Sequence, residues 1–207
     1  MNDTKQKILL ASLWLFNDRG ISAVSLRTIA DKVGISVGNL QYHFKKREDI
    51  IEALYFQLVK EIDSIIFIND DDLLKSFFNI STEMFTILYE YHFFLLDFVT
   101  IVRNNKKIKS HYAELSQHRE KQFLETAEVM IEKGLFREAS LEKEYHNLYK
   151  RTEVISNFWF SSILIQADVL SEEAIRQYEL LVSQSIYPYL TEKAKNQYVN
   201  IFPRQQI

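Results

Sequence analysis

Over the first 45 residues, apolar positions recur at helical rather than strand spacing. Ile8, Leu9, Leu13 and Phe16 line one face of a helix that opens near Asp3. Asp3, with Gln6 three residues on, reads as a capping box. Gly20 then stops this helix, because positive φ costs little there. Ser25 is the predicted N-cap of a second helix, whose inner face is Leu26, Ile29, Ala30 and Val33. Gly34 turns the chain. Ser36 opens a very short third helix, Val37–His43, and Phe44 closes it. Cap, one-faced helix, glycine turn, cap and short helix make up a helix-turn-helix.

Beyond this head, residues 39–133 contain neither Gly nor Pro. Such a run, rich in Leu, Ile, Phe, Glu and Lys, predicts successive long helices. A fourth helix is expected from Arg47 to about Ile68, with Glu48 and Asp49 at its positive end. Asn69 to Asp72 form a break. Further helices are expected over 73–89, 92–103, 109–133, 141–167 and 172–190, with Gly134 as a stop and Ser140 and Ser171 as caps. Pro203 falls in a terminal tail. The predicted fold is all-α, about nine helices in total. A three-helix head (1–47) precedes a larger helical bundle (48–207).

Charge sharpens this division. The net charge is −3, yet residues 1–47 hold eight Lys/Arg against three Asp/Glu, and the remainder holds 17 against 25. A basic head on an acidic body suggests that only the head meets a polyanion. There is no Cys, which excludes disulfides, thiolate metal sites and cysteine nucleophiles. The start MNDTKQK lacks an apolar targeting segment, so the expected location is the cytoplasm. The most apolar stretch, Met84 to Val102, contains Glu90, His92 and Asp97, which suits a buried helix and not a membrane span.

The head carries a dense set of markers: Phe16, Gly20, Ser25-Leu26-Arg27-Thr28-Ile29-Ala30, Val33-Gly34-Ile35-Ser36-Val37-Gly38-Asn39-Leu40-Gln41-Tyr42-His43-Phe44 and Arg47-Glu48-Asp49-Ile50. This set resembles the DNA-binding head of TetR/AcrR-type transcriptional regulators. The remaining 150 or so residues resemble that family only in helix content and order, and in the Tyr91-His92-Phe93-Phe94 start of one helix.

Chemistry supports the same reading. A major groove about 12 Å wide admits a helix whose first turn is small, and Ser36 and Gly38 are small. Val37 can pack a thymine methyl, while Asn39 and Gln41 can each bond adenine in bidentate fashion. Ser36 leaves backbone N–H groups near phosphate. Arg27 can reach a base or a phosphate. Tyr42, His43, Lys45, Lys46 and Arg47 can clamp the backbone, which adds affinity but not sequence choice. Leu40 and Phe44 read as core of the head. Tyr42 has a half-core alternative, and Lys45 and Lys46 a solvated one. The family usually has Tyr at the position of Gln41 and Lys at that of Arg47.

In the body, eight of the 22 residues from Phe77 to Phe98 are aromatic, against a chain average of 14%. They form either a well-filled core or an apolar pocket, and the two are compatible, since the resemblance implies an effector pocket in the body. The pocket candidates are Phe85, Tyr89, His92, Phe93, Phe94 and Phe98. His92 is either bonded to a carbonyl or a polar ligand anchor. The resemblance also implies that the last two helices pair with those of a second copy, through Phe158, Trp159, Ser162, Leu181 and Gln184. The alternative for these is packing within one chain.

The resemblance therefore implies a ligand-responsive regulator, most simply a repressor. It would bind a near-palindromic DNA operator as a homodimer and be released by a small hydrophobic effector. No cofactor, metal or membrane is implied. One alternative is a helical-bundle metalloenzyme. None of the five His residues follows a Glu by three positions, although His111, Glu114 and His118 share a face. The other alternative is a helical adaptor that binds no DNA.

Overall fold

The computed structural model describes residues 3–65, 72–166 and 171–202. They fold into two compact units. The first comprises residues 1–64 and 87–111, and the second comprises 65–86 and 112–207. Residues 48–64 and 87–111 thus pack with the head.

The first unit begins with α1 (Asp3–Arg19), α2 (Leu26–Val33), α3 (Val37–His43) and α4 (Arg47–Asp63). The caps act as their residue types dictate. Ser25 Oγ accepts the Thr28 N–H at 3.1 Å, and Ser36 Oγ accepts the Asn39 N–H at 3.2 Å. Gly34 sits at φ 78, where only glycine is unstrained. This lets both its own N–H and that of Ile35 reach the Ala30 carbonyl. The core of the head is Ile8, Leu9, Leu15, Phe16, Ile29, Ala30, Leu40, Phe44, Ile50 and Leu54. Leu13 is only half-buried, and Ser12 takes a buried place on α1 by returning its hydroxyl to the Ile8 carbonyl at 2.7 Å.

α5 (Leu73–Glu90) opens on Asp72, whose carboxylate accepts the Lys75 N–H at 3.0 Å. The expected single helix over 92–103 is in fact two, α6 (His92–Leu96) and α7 (Phe98–Asn104), broken at Asp97. α8 (Lys106–Glu132) starts three residues earlier than expected, because Asn105 Oδ1 accepts the N–H groups of Lys107 and Ile108, both at 3.0 Å. α4 stops at Asp63 with Ser64 as its C-cap, five residues short of the end expected near Ile68. The end expected at Ala167, most of the 69–72 break and Pro203 lie outside the described residues.

The second unit is completed by α9 (Glu144–Gln166), α10 (Glu172–Ile186) and α11 (Glu192–Ile201). The expected helix over 172–190 stops at Ile186. Pro188 lies in a 3-10 turn, and Thr191 then caps α11, a helix the apolar pattern did not predict. The described residues thus form eleven α-helices where about nine were expected. α9 starts at Glu144 because the Glu144 carboxylate folds back onto the Ser140 N–H at 2.6 Å. It also takes a bidentate pair from Arg137 at 2.7 and 3.0 Å. Arg137 in turn donates to the Pro188 carbonyl, and Tyr145 donates its hydroxyl to the Arg137 carbonyl.

The Arg137 guanidinium, helped by the Ser140 N–H, holds the Glu144 carboxyl at about 2, below its ordinary 4.5. A depressed folded pKa stabilises the fold above the ordinary value, and that stabilisation fades as pH falls from about 4.5 towards 2. Acid unfolding followed by circular dichroism should therefore lose part of its steepness in this window in Glu144→Gln. Identical acid limbs for variant and parent would show that the pair contributes nothing.

Candidate nucleic-acid interface

α3 is attached to the head mainly by one side chain. Leu40 is 0% exposed, and Phe44, just past the helix, is also buried. Ser36, Gly38, Asn39 and Gln41 are exposed, and Tyr42 is 86% exposed, which removes its half-core alternative. Val37 and His43 are half-buried. A Cβ on Gly38 would meet only Ser36 Oγ, at 4.0 Å, so the start of α3 is open. Two exposed amide side chains, Asn39 and Gln41, thus stand on a helix stripped of bulk at its N-terminus. A major groove requires that arrangement for base-edge contact. Arg27, Lys45 and Lys46 are exposed around it.

Arg47 sits differently. Its Nη1 donates to the Ile21 carbonyl at 2.7 Å and to the Val24 carbonyl at 3.2 Å, and its Nη2 lies 3.6 Å from Glu48. The guanidinium ties the start of α4 to the turn after α1. Two further residues matter here that spacing alone did not flag. Lys5 lies 5.4 Å over the Phe44 ring, which brings an α1 ammonium beside the end of α3. Asn17 donates to the Glu90 carbonyl at 2.7 Å and accepts the Phe93 N–H at 3.0 Å. It thereby binds α1 to the α5–α6 break.

The pocket candidates divide between the units. Phe85 is buried in the second, edge-on to Trp159 at 5.8 Å. The other five lie in the first unit. His92 Nδ1 is 2.7 Å from the Tyr89 carbonyl, the carbonyl-bonded arrangement of its two alternatives. Phe93 packs on Phe16 at 5.3 Å, Phe94 stacks on Tyr55 at 5.1 Å, and Phe98 meets Phe94 at 5.7 Å.

Of the dimer candidates, Phe158, Ser162, Leu181 and Gln184 are exposed on α9 and α10. Trp159 is 1% exposed and packs against Tyr178 within the chain. Its indole N–H has no hydrogen-bond partner among the described residues.

Among the described residues, no group of three or more His, Asp or Glu is placed to hold a metal. His111 instead lies 2.8 Å from the Tyr55 hydroxyl. No described helix is long and apolar enough to cross a membrane.

Comparison with known proteins matches both parts of the chain. Residues 8–54 match the family described as bacterial regulatory proteins, tetR family, and residues 57–198 match TetR, bacterial transcriptional repressor. The repressor KstR2 of Mycolicibacterium smegmatis is 40% identical over 50 residues, 24% of either chain. The first curated relatives are matched over only a quarter to a half of their own length. A TetR-family regulator from Marinobacter aquaeolei VT8 has the same fold, with a TM-score of 0.85, 24% identity and 97% of each chain covered. A regulator from Saccharomonospora viridis, solved with choline, superposes with a TM-score of 0.73 at 19% identity, covering 93% of this chain and 100% of that one. With an open reading face on α3 and most of its length matched, the chain belongs to the TetR family of bacterial transcriptional regulators.

Proposed function

We propose that this protein is a ligand-responsive repressor that binds a near-palindromic operator as a homodimer, with residues 1–47 reading DNA and 48–207 holding the effector and dimer surfaces. The carrying observation is α3: one buried anchor, Leu40, beneath an exposed Ser36, Gly38, Asn39, Gln41 and Tyr42. One such helix reads only a few base pairs, and two-fold symmetry doubles the site. The activity is binding, not catalysis, and a duplex DNA partner implies the cytoplasm.

The dimer surface follows from exposed apolar side chains. Val154, Phe158 and Ile165 lie along α9, and Leu180 and Leu181 along α10, each at least 40% exposed. Water disfavours this much apolar exposure on two packed helices. A second copy covers it.

The effector is a small hydrophobic molecule. Trp159 supports this, since a buried indole N–H without a partner suits a ligand that brings an acceptor oxygen on an apolar body. Choline in the Saccharomonospora relative illustrates a small molecule held by this fold. Asn17 offers a route from α6 to the head, because movement of the α5–α6 break must move α1 or break two hydrogen bonds. Release requires the effector to favour one of two states.

Selection of duplexes from a random pool tests the reading at its base. The wild-type protein should enrich a two-fold motif with half-sites about 34–36 Å apart. Gln41→Ala should change the consensus at one position per half-site, with roughly 1–3 kcal/mol less discrimination there. Failure of the parent to enrich any motif would sink the operator reading, whereas an unchanged consensus would show only that Gln41 reads no base.

A further inference from the structure

The body is acidic, but one stretch of it is not. Between Asp97 and Glu114 the chain carries no acid and four cations: Arg103, Lys106, Lys107 and Lys109. This stretch, where α7 meets α8, packs into the same compact unit as the head. Charge follows that partition. The first unit holds thirteen Lys/Arg against ten Asp/Glu, and the second holds twelve against eighteen.

The corner is fastened to α4. Asn105 caps α8 with its Oδ1 and donates its Nδ2 to Glu52 at 3.2 Å. Lys107 Nζ donates to the other Glu52 oxygen at 2.5 Å and lies 4.9 Å over the Phe56 ring. The Lys107 ammonium holds the Glu52 carboxyl below its usual range, opposed by burial and helped by Asn105. The charge of Lys46, next to the recognition helix, is also felt there. Glu52 lies six residues beyond Lys46, about 9 Å along α4. That is within one Debye length at ordinary salt, about 10 Å.

Lys107 is committed to Glu52. Arg103, Lys106 and Lys109 are exposed, and none forms an ion pair among the described residues. Three cations without an ion pair among the described residues thus stand on the corner that Asn105 and Lys107 fasten to Glu52, in the first two turns of α4. Their charge complements phosphate, and the corner that carries them is fastened where the charge of Lys46 is felt. We infer that the α7–α8 corner is a second phosphate-contacting surface, on which Arg103, Lys106 and Lys109 take the DNA backbone flanking the half-site read by α3. This rests on the reading of α3 as the groove-entering helix.

Salt-dependent binding to a long random-sequence duplex tests it. Each phosphate that a variant no longer neutralises lowers the slope of log K against log salt by roughly 0.9. The triple variant Arg103→Gln, Lys106→Gln, Lys109→Gln should lower it by roughly 2–3 per subunit. On the selected operator its hydroxyl-radical footprint should also retract at the flanks while the centre stays protected. All three side chains are exposed, so the thermal midpoint should not move. The control Lys121→Gln, Lys133→Gln, Lys193→Gln removes equal charge from the second unit and should leave slope and footprint unchanged. An equal fall in the control would make the effect one of net charge and overturn the inference. An unchanged slope in the Arg103 triple, alongside a reduced slope in Lys45→Gln, Lys46→Gln, would overturn it while leaving the α3 reading intact. An unchanged slope in both sets would mean that the α3 reading itself has failed.

Discussion

Phe158→Glu combined with Leu181→Glu should yield a folded monomer with little operator affinity. Both side chains are close to half-exposed in the single chain, at 44% and 45%, so an added carboxylate costs the isolated chain little. In the proposed homodimer each substitution is repeated across the two-fold axis, and like charges would meet in a surface that excludes water. Sedimentation should report half the parent mass, with the helical circular dichroism spectrum retained. Specific DNA binding exceeds non-specific binding by about 4–10 kcal/mol, and one half-site holds about half of that. Affinity for the selected operator should then fall roughly 30-fold to several thousand-fold. Intact dimers would move the interface elsewhere. Trp159→Glu makes a useful contrast. Trp159 is 1% exposed, so its charged variant should lose thermal stability outright instead of dissociating cleanly.

Arg47→Ala should destabilise the head without changing the salt slope. The side chain donates to the Ile21 and Val24 carbonyls, and its removal leaves two part-buried acceptors unpaired. Each such acceptor costs about 1–3 kcal/mol. Operator affinity should fall because α4 and the turn after α1 no longer hold α3 in register. Lys46→Ala should behave in the opposite way, with stability unchanged and a slope lower by about one. Arg47→Lys should recover little, since an ammonium cannot span two carbonyls as a guanidinium does. A slope for Arg47→Ala that drops as far as that for Lys46→Ala would return Arg47 to the phosphate contacts.

The local features of the head were legible in the sequence because they are short-range. Ser25 and Ser36 cap helices whose first N–H groups lie three residues away, and Gly34 supplies a positive φ that no neighbour need impose. Helical spacing likewise announced an all-α chain. Element boundaries set by one polar side chain among several candidates were not legible. The break at Asp97, the early start of α8 at Asn105 and the delayed start of α9 at Glu144 each involve a side chain taking a backbone donor. Asn105 and Glu144 are also held from other elements or loops, by Glu52 and Arg137. α11 was hidden because the last expected helix ran through Pro188 to 190, whereas the chain turns at Pro188 and Thr191 restarts a helix.

By itself the sequence determined the helical class, the helix-turn-helix and the residue types offered to a groove, since caps, periodicity and charge act over a few residues. Only the tertiary structure decided that Tyr42 stands out in solvent, that Trp159 is sealed in and that Arg47 is spent on carbonyls 23 and 26 residues away. It also decided that a basic corner beyond residue 100 packs with the head. Burial and the pairing of charges are set by what the folded chain brings alongside, and neighbours in sequence do not determine that.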